Sequence, residues 1–308
     1  MSTLEFHLFG KFSVRRDAQL VKGLDASKEQ ELLCYLLVRR NQCHARESLA
    51  SLLWGDTSTE RSRKYLRQAL WHLQAALEKT QISTQEVLLV ERDWVQLNLR
   101  SEFWLDVALF EQAFAATEGV PGEQLDGPDV QILKGAVELY RGDLLDGWYQ
   151  DWCLFERERL QNIYLSVLDK LMTYSEKNRE FEACQTYGST LLRYDRARER
   201  THRQLMHLRY MTGDRTGALR QYERCVAALD EELGVKPERR TTTLYEQIRA
   251  DRLNDHELME FQPVSRSTAS LAEVLSRLKR LRLVLLSAQK SVRRDIRAVE
   301  EGLKTMKQ

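Results

Sequence analysis

The sequence of 308 residues has few of the residues that interrupt helices or cross-link chains. It contains 4 prolines and 14 glycines, and because these two residues are the least favourable in helix interiors, their scarcity favours a mostly helical protein. Its 5 cysteines are scattered without a CxxC pair, which indicates reduced thiols rather than a disulfide framework. No apolar run approaches the roughly 18 residues that a membrane-spanning helix needs, and no apolar signal-peptide block stands at the N-terminus. We therefore expect a cytoplasmic protein without membrane association.

Motifs for catalysis and for cofactor binding are also lacking. The 6 histidines show no HExxH or other metal-ligand spacing. The sequence contains no GxSxG, GxGxxG or GxxxxGK[ST], the patterns that place nucleophiles or cradle phosphates. We therefore predict a protein that is not an enzyme and that uses no cofactor or metal.

The formal net charge of +1 hides an uneven distribution along the chain. Residues 1–105 carry +2, residues 106–270 carry −7, and residues 271–308 carry +6. An acidic middle section argues against nucleic acid that wraps around the whole molecule. Any DNA contact is therefore expected in a local patch.

Residues 1–100 show strand patterns at both ends and three helical patterns between them. Alternating apolar residues predict short strands over 4–14, helical spacing predicts helices over 27–41, 46–54 and 59–79, and alternation returns as a hairpin over 87–99. This order of elements is that of a winged helix-turn-helix domain.

From Asp106 the pattern is helical and contains an internal echo. Ala183 and Tyr187 recur as Ala218 and Tyr222, a spacing of 35. A period near 34 with small and aromatic residues on the second helix is typical of tetratricopeptide (TPR) repeats, whose helix pairs bury their apolar faces against their neighbours. Generic helical hairpins of similar length are the alternative.

Periodicity stops and then returns toward the C-terminus. A proline and a Ser/Thr cluster predict a linker over 255–270, and leucine, valine and isoleucine at spacings of mostly 3 and 4 predict an amphipathic coiled-coil helix over 271–308. The predicted fold class is thus mainly α. It comprises an N-terminal winged helix-turn-helix domain (α+β) over 1–100, an all-α TPR-like domain over 105–254, the linker and the C-terminal coiled-coil helix.

The third helix of the winged domain has two chemically distinct faces. Its leucines recur at helical spacing and predict the buried face: Leu66, Leu70, Leu73 and Leu77. At 100° per residue the opposite face carries mainly basic, amide and aromatic residues: Arg61, Lys64, Arg67, Gln68 and Trp71, with His72 at its flank. No acid occurs between Arg61 and Gln74, whereas solvated helices usually interleave Glu with Lys. Arg and Gln make bidentate bonds to guanine and adenine edges, so this face is a candidate for binding double-stranded DNA. An idle basic surface is the alternative.

Two further arginines are candidates for DNA contact. Arg63 falls closer to the buried side of the helix, and we expect a phosphate contact or a structural role for it. Arg92 stands at the tip of the hairpin, where it would reach the minor groove or a phosphate. An ordinary turn arginine is an equally good interpretation of Arg92.

The chain resembles one family of regulators in both halves. Its N-terminal segments are LEFHLFGKFSV, SKEQELLCYLL, ARESLASLLWGD and YLRQALWHLQAALE, which resemble the OmpR-like winged-helix domain of antibiotic-regulatory-type (SARP-like) bacterial transcriptional activators. The segment YRGDLLDGWYQDWCLFERERLQNIYLSVLDKL is similar to the second half of that family, the bacterial transcriptional activator domain. The resemblance covers residues 4 to 252 and implies a DNA-binding activator that contacts RNA polymerase.

The resemblance also suggests where the polymerase contact lies. The loop between the second and third helices, with Gly55, Asp56, Thr57 and Glu60, is the candidate of this family type. A simple helix connector is the alternative. For the whole chain, the alternative function is a TPR scaffold or sensor that binds a protein or small-molecule ligand in its groove without activating transcription.

The apolar stripe of residues 271–306 needs a partner, because a helix of 36 residues would be roughly 54 Å long and could not hide its stripe in one compact domain. We predict that this segment forms a homodimer. An intramolecular lid over the repeat groove is the alternative.

Overall fold

The computed structural model describes residues 4–17, 19–21, 27–79, 87–100 and 103–253. The strands are β1 (Leu4–His7), β2 (Ser13–Arg16), β3 (Gln19–Leu20), β4 (His44–Ala45), β5 (Leu88–Val90), β6 (Trp94–Leu97) and β7 (Phe103–Leu105). The helices are α1 (Ser27–Val38), α2 (Arg46–Trp54), α3 (Thr59–Lys79), α4 (Asp106–Ala116), α5 (Gly127–Leu139), α6 (Asp151–Lys177), α7 (Phe181–Tyr194), α8 (Glu199–Met211), α9 (Arg215–Leu233) and α10 (Arg239–Ala250), with a 3-10 turn at Gly122–Gln124.

Two small sheets frame the three N-terminal helices. The first has the order β3-β2-β1-β7, in which β1 runs antiparallel to β2 and parallel to β7. The second has the order β4-β6-β5 and contains the predicted hairpin. Leu4 and Phe6 of β1 are buried, whereas Glu5 and His7 on the opposite face are half-buried. The mainly helical fold with a winged N-terminal part is therefore confirmed.

The core runs through both halves of the described chain. Phe6, Leu33, Leu73, Phe110 and Leu160 are all buried in the same hydrophobic cluster. These five residues come from β1, α1, α3, α4 and α6, so the core does not stop where the winged part ends. Residues up to Ile248 form one compact unit, and Arg249 begins a second unit, which has only residues 249–253 in the described part of the chain. The predicted domain boundaries at residues 100 and 105 stay predictions.

Helix pairs α6–α7 and α8–α9 repeat with a period of 34 residues rather than the predicted 35. The N–H of Arg179 bonds to the carbonyl of Glu176 and that of Gly213 to Tyr210, and the N–H groups of Cys184 and Ala218 bond to Glu180 and Asp214. Arg179 and Gly213 both have positive φ angles, 58° and 81°. The shift arises because turn geometry and burial set the period: Cys184 and Ala218 are fully buried, whereas Ala183 is half-buried.

The C-terminal predictions lie beyond this part of the chain. The linker over 255–270 and the coiled-coil helix over 271–308 fall outside the described residues. None of the helices within the described ranges combines the length and the apolarity that crossing a membrane requires.

Candidate nucleic-acid interface

Helix α3 is held by its leucine stripe. Leu66, Leu70, Leu73 and Leu77 are all buried, at 0–3% exposure, as the periodicity predicted. The helix has no glycine or proline in its 21 residues, and Glu60 in its first turn interacts favourably with the helix dipole. The buried stripe therefore fixes which face of α3 points outward.

The outward face carries the predicted side chains. Arg61, Lys64, Arg67 and Gln68 are exposed, and Trp71 is 66% exposed. At 1.5 Å per residue, Arg61 and Trp71 are about 15 Å apart along the helix axis, which corresponds to about four base pairs at 3.4 Å each. A single helix face of this length matches the reach of a recognition helix in the major groove.

The three cations at the centre of this face have no acidic partner. Among the residues that the structure describes, none forms an ion pair with Arg61, Lys64 or Arg67. Since α3 has no acid from Arg61 to Gln74, the positive potential of the face is not neutralised from within the helix.

Arg63 and His72 lie at the flanks and contact neighbouring helices. The guanidinium of Arg63 pairs with Glu47 of α2, although more than half of its side chain is exposed. Arg63 was expected nearer the buried side. Its long side chain instead reaches across the surface to α2. His72 Nδ1 lies 3.2 Å from Glu29 Oε1 of α1, so these two residues are engaged within the protein.

The hairpin of β5 and β6 is anchored to α2. The backbone N–H of Arg46 donates to the Asp93 carbonyl at 3.0 Å, and its guanidinium donates to the Glu91 carbonyl at 3.1 Å. Arg92 at the tip is exposed. The β4–β6 pairing, which the sequence patterns did not reveal, places the start of α2 beside this hairpin.

The loop between α2 and α3 is exposed and tightly turned. The N–H and hydroxyl of Thr57 both donate to the Trp54 carbonyl, at 3.1 and 3.0 Å. A Cβ on Gly55 would lie 2.8 Å from the Ser51 carbonyl oxygen, so a larger residue there would displace the backbone. Gly55, Asp56, Thr57 and Glu60 are all exposed, which leaves the loop accessible to a partner.

A buried carboxylate joins the winged part to the helices that follow. Asp106 Oδ2 accepts the backbone N–H groups of Leu8 and Phe9 at 2.8 and 2.9 Å, and its Oδ1 accepts that of Val107 at 2.7 Å. Burial raises the pKa of this carboxyl above its ordinary value, and the three N–H donors oppose the shift. Sequence patterns missed this residue, because its partners lie almost 100 positions earlier.

An ion-pair cluster connects the same parts of the molecule. Glu156, only 4% exposed, pairs with Arg39 at 2.6 Å and with Arg159 at 2.7 Å. Glu111 pairs with Arg40 and Arg159, both at 2.5 Å. The end of α1 is thereby fixed to α4 and α6, and with it the frame on which α3 is mounted.

No group of His, Cys, Asp and Glu within the described ranges has the arrangement of a metal site. The four buried cysteines, Cys34, Cys153, Cys184 and Cys225, are free thiols, and burial raises the pKa of each. Reactive thiols have a lowered pKa, so these cysteines have the character of core residues.

Comparisons with known proteins give the same assignment for the helical half. A family model, the bacterial transcriptional activator domain, matches residues 105–249. The transcriptional regulatory proteins MoaR1 of Mycobacterium tuberculosis and of Mycobacterium bovis are each 23% identical over 252 residues, which covers 80% of this chain and 79% of theirs. These are regulators rather than enzymes, which confirms the prediction of a non-enzymatic protein.

A solved structure supports the fold of the whole described chain. Mycobacterium tuberculosis EmbR, in complex with a low affinity phosphopeptide, has a TM-score of 0.60 and 20% identity, and the match covers 89% of this chain and 72% of that one. The matched domain, the two-part order of the chain and this shared fold lead to one assignment. The chain is a transcriptional regulator that belongs to the antibiotic-regulatory-type (SARP-like) bacterial activators.

Proposed function

We propose that this regulator binds double-stranded DNA in a sequence-specific manner through the outward face of α3. The observation that carries the proposal is the acid-free, exposed set of Arg61, Lys64, Arg67 and Gln68 opposite a fully buried leucine stripe. Arg and Gln read guanine and adenine edges, and Lys contacts guanine or phosphate. Trp71 adds an exposed ring for apolar contact with base methyl groups or sugars.

The flanking residues have different roles in this proposal. The pairing of Arg63 with Glu47 supports its structural alternative, the mutual positioning of α2 and α3. His72, beside Glu29, borders the interface. Arg92 contacts the minor groove or a phosphate, since the hairpin that carries it is fixed to α2 by two hydrogen bonds.

Activation in this proposal follows from contact between RNA polymerase and the α2–α3 loop. The loop is exposed along Gly55, Asp56 and Thr57, and its turn is fixed by the Trp54 carbonyl. Asp56→Ala is expected to leave DNA affinity unchanged and to lower transcription in a reconstituted assay. Equal transcription by the two proteins would contradict a polymerase contact through Asp56.

The selection of genomic DNA fragments by the full-length protein tests the proposal. We expect retained fragments to share a sequence, and the affinity for them to exceed that for scrambled fragments by 10³-fold or more, the usual range for specific binding. Retention that is equally strong for scrambled DNA would contradict sequence-specific binding.

Dimerisation is a second part of the proposal, and only the sequence supports it. The leucine stripe of residues 271–306 would join two protomers, so that two winged parts bind half-sites about one helical turn apart. Light scattering is expected to give a dimer mass for the full chain and a monomer mass for a chain that ends at Ser270. A monomeric full-length chain would contradict dimerisation and favour the alternative of a lid.

A groove between α9 and α10 supports sensing as a second candidate function. It has a volume of about 500 Å³ and is lined by Tyr222, Val226, Val235 and Tyr245, with Glu223, Asp230, Lys236 and Pro237. Tyr222 and Tyr245 stack with their ring centroids 4.1 Å apart. Volumes of 300–1,000 Å³ are usual for small ligands. A protein or small-molecule signal bound here would be lost in Tyr245→Ala, and a titration of that variant that matches the wild type would contradict the site.

A further inference from the structure

We propose that a cavity on the outer face of the four-stranded sheet is a binding site for a small phosphate-type anion. Alternation along β1 and β2 divides the sheet into two faces. Leu4, Phe6 and Val14 are buried, whereas His7 pairs in register with Ser13 on the opposite face. The cavity lies on that opposite face and is independent of the DNA-binding face of α3.

Basic side chains dominate the lining of this cavity. Lys11, Arg15 and Arg141 line it together with His7, Ser13 and Trp104. Lys11, Arg15 and Arg141 are exposed, and none of them forms an ion pair with another residue in the described part of the chain. Three unpaired cations around one cavity repel one another, and a bound anion would relieve that repulsion.

The acidic groups near the cavity are already engaged. Asp106 also lines it, but its oxygens accept the backbone N–H groups of Leu8, Phe9 and Val107. Glu5 lies 3.4 Å from the ring of His7. Neither carboxylate is therefore free to neutralise the three cations, and the cavity keeps a positive excess.

The volume of the cavity limits the ligand. It measures about 120 Å³, well below the 300–1,000 Å³ of sites that enclose a whole small molecule, yet larger than the space one water occupies. A single phosphate group fits this size, and guanidinium groups bind phosphate through paired N–H bonds. The phosphate could belong to inorganic phosphate or to a phosphorylated small molecule whose remainder stays outside, beside Trp104.

The backbone around the site is already ordered for binding. Arg141 follows the end of α5, whereas Lys11 and Arg15 belong to the β1–β2 hairpin. The two segments are joined by bonds from the Gly10 N–H to the Asp143 carbonyl and from the Leu145 N–H to the Leu8 carbonyl, both 2.8 Å. Because this seam is formed without ligand, binding would not have to order the backbone.

Calorimetric titration of the full-length protein tests the site, with inorganic phosphate and adenosine monophosphate as the two probes. We expect saturable one-to-one binding, a dissociation constant at least tenfold higher in Arg141→Gln and Arg15→Gln, and no change in Arg220→Gln. Arg220 is a suitable control because it is an exposed arginine on α9, outside this cavity. Equal affinity for the two probes indicates recognition of phosphate alone, and tighter binding of the nucleotide indicates a phosphorylated organic ligand.

Three results would overturn the proposal. One is the absence of saturable binding of either probe at millimolar concentration. Another is an equal dissociation constant for Arg141→Gln and Arg220→Gln. The third is a loss of DNA affinity in Arg141→Gln while the wild type binds neither probe, which would assign the arginine to the DNA backbone. Each of these results leaves the role of α3 to its own test.

Discussion

At the scale of single residues, His202 has the most fully satisfied buried ring in the repeats. Its Nε2 donates to the Arg196 carbonyl at 2.9 Å, and its Nδ1 accepts from the Gln221 amide at 2.8 Å. Only the neutral imidazole makes both bonds, because protonation of Nδ1 would place two donors face to face. Burial accordingly lowers the pKa of His202 below 6.5.

The lowered pKa of His202 predicts a pH dependence of stability. The neutral ring stabilises the fold above the unfolded pKa of 6.5, and this contribution is lost as the pH falls through the lower folded pKa. Urea unfolding at a series of pH values is expected to show a smaller acid-side loss of unfolding free energy in His202→Gln than in the wild type. Identical pH profiles would contradict a buried neutral histidine.

Two residues show the limit of predicting side chains from periodicity. The helical angle of Arg63 placed it nearer the core, yet its flexible side chain reaches Glu47, which is 16 positions earlier. Tyr222 occupied a predicted core position but is half-buried and stacks on Tyr245. A helical angle gives the direction of Cβ and does not identify the neighbouring element.

At the scale of elements, α3 divides into a packing face and a free face, and neighbouring residues test the division. Leu73 is fully buried and Trp71 is 66% exposed. Leu73→Ala is expected to lower the unfolding free energy by about 2–5 kcal/mol, and Trp71→Ala by less than about 0.5 kcal/mol. Chemical denaturation of the two variants gives the comparison, and equal losses would contradict the orientation of α3.

Long periodic elements were predictable, and short strands were not. The helical pattern over 59–79 matches α3, Thr59–Lys79, because 21 residues provide several turns of leucine spacing. Strands β4 and β7 have 2 and 3 residues, too few for an alternating pattern. β7 exists because Leu105 pairs with Phe6, a neighbour that only the tertiary fold provides.

At the scale of the whole molecule, the ion-pair cluster predicts that the two halves stabilise each other. Glu156 is buried between Arg39 and Arg159, and removing one partner of a buried pair typically costs about 3–5 kcal/mol. Glu156→Ala is expected to lower the unfolding free energy by about 3 kcal/mol. Glu158→Ala removes the same charge from an exposed position nearby, and it is the control.

Thermal unfolding of these variants also reports on cooperativity. Since the core is continuous from β1 to α6, the wild type is expected to unfold in one transition over the described unit. A wild-type chain that unfolds in two steps, or equal stability of Glu156→Ala and Glu158→Ala, would contradict coupling through this cluster. Sequence patterns did not predict the coupling, because partners such as Arg40 and Glu111 are 71 positions apart.

The most direct test of the central claim is the titration of a selected genomic fragment with the wild type, Arg67→Ala and Arg220→Ala at several salt concentrations. Arg67 lies on the free face of α3, and Arg220 is an exposed arginine on α9. If Arg67 reads a base, Arg67→Ala loses about 1–3 kcal/mol of binding free energy at one position. If it contacts a phosphate, the salt slope falls by about one. Arg220→Ala is expected to bind as the wild type does. Equal binding by all three proteins would contradict recognition of DNA through α3.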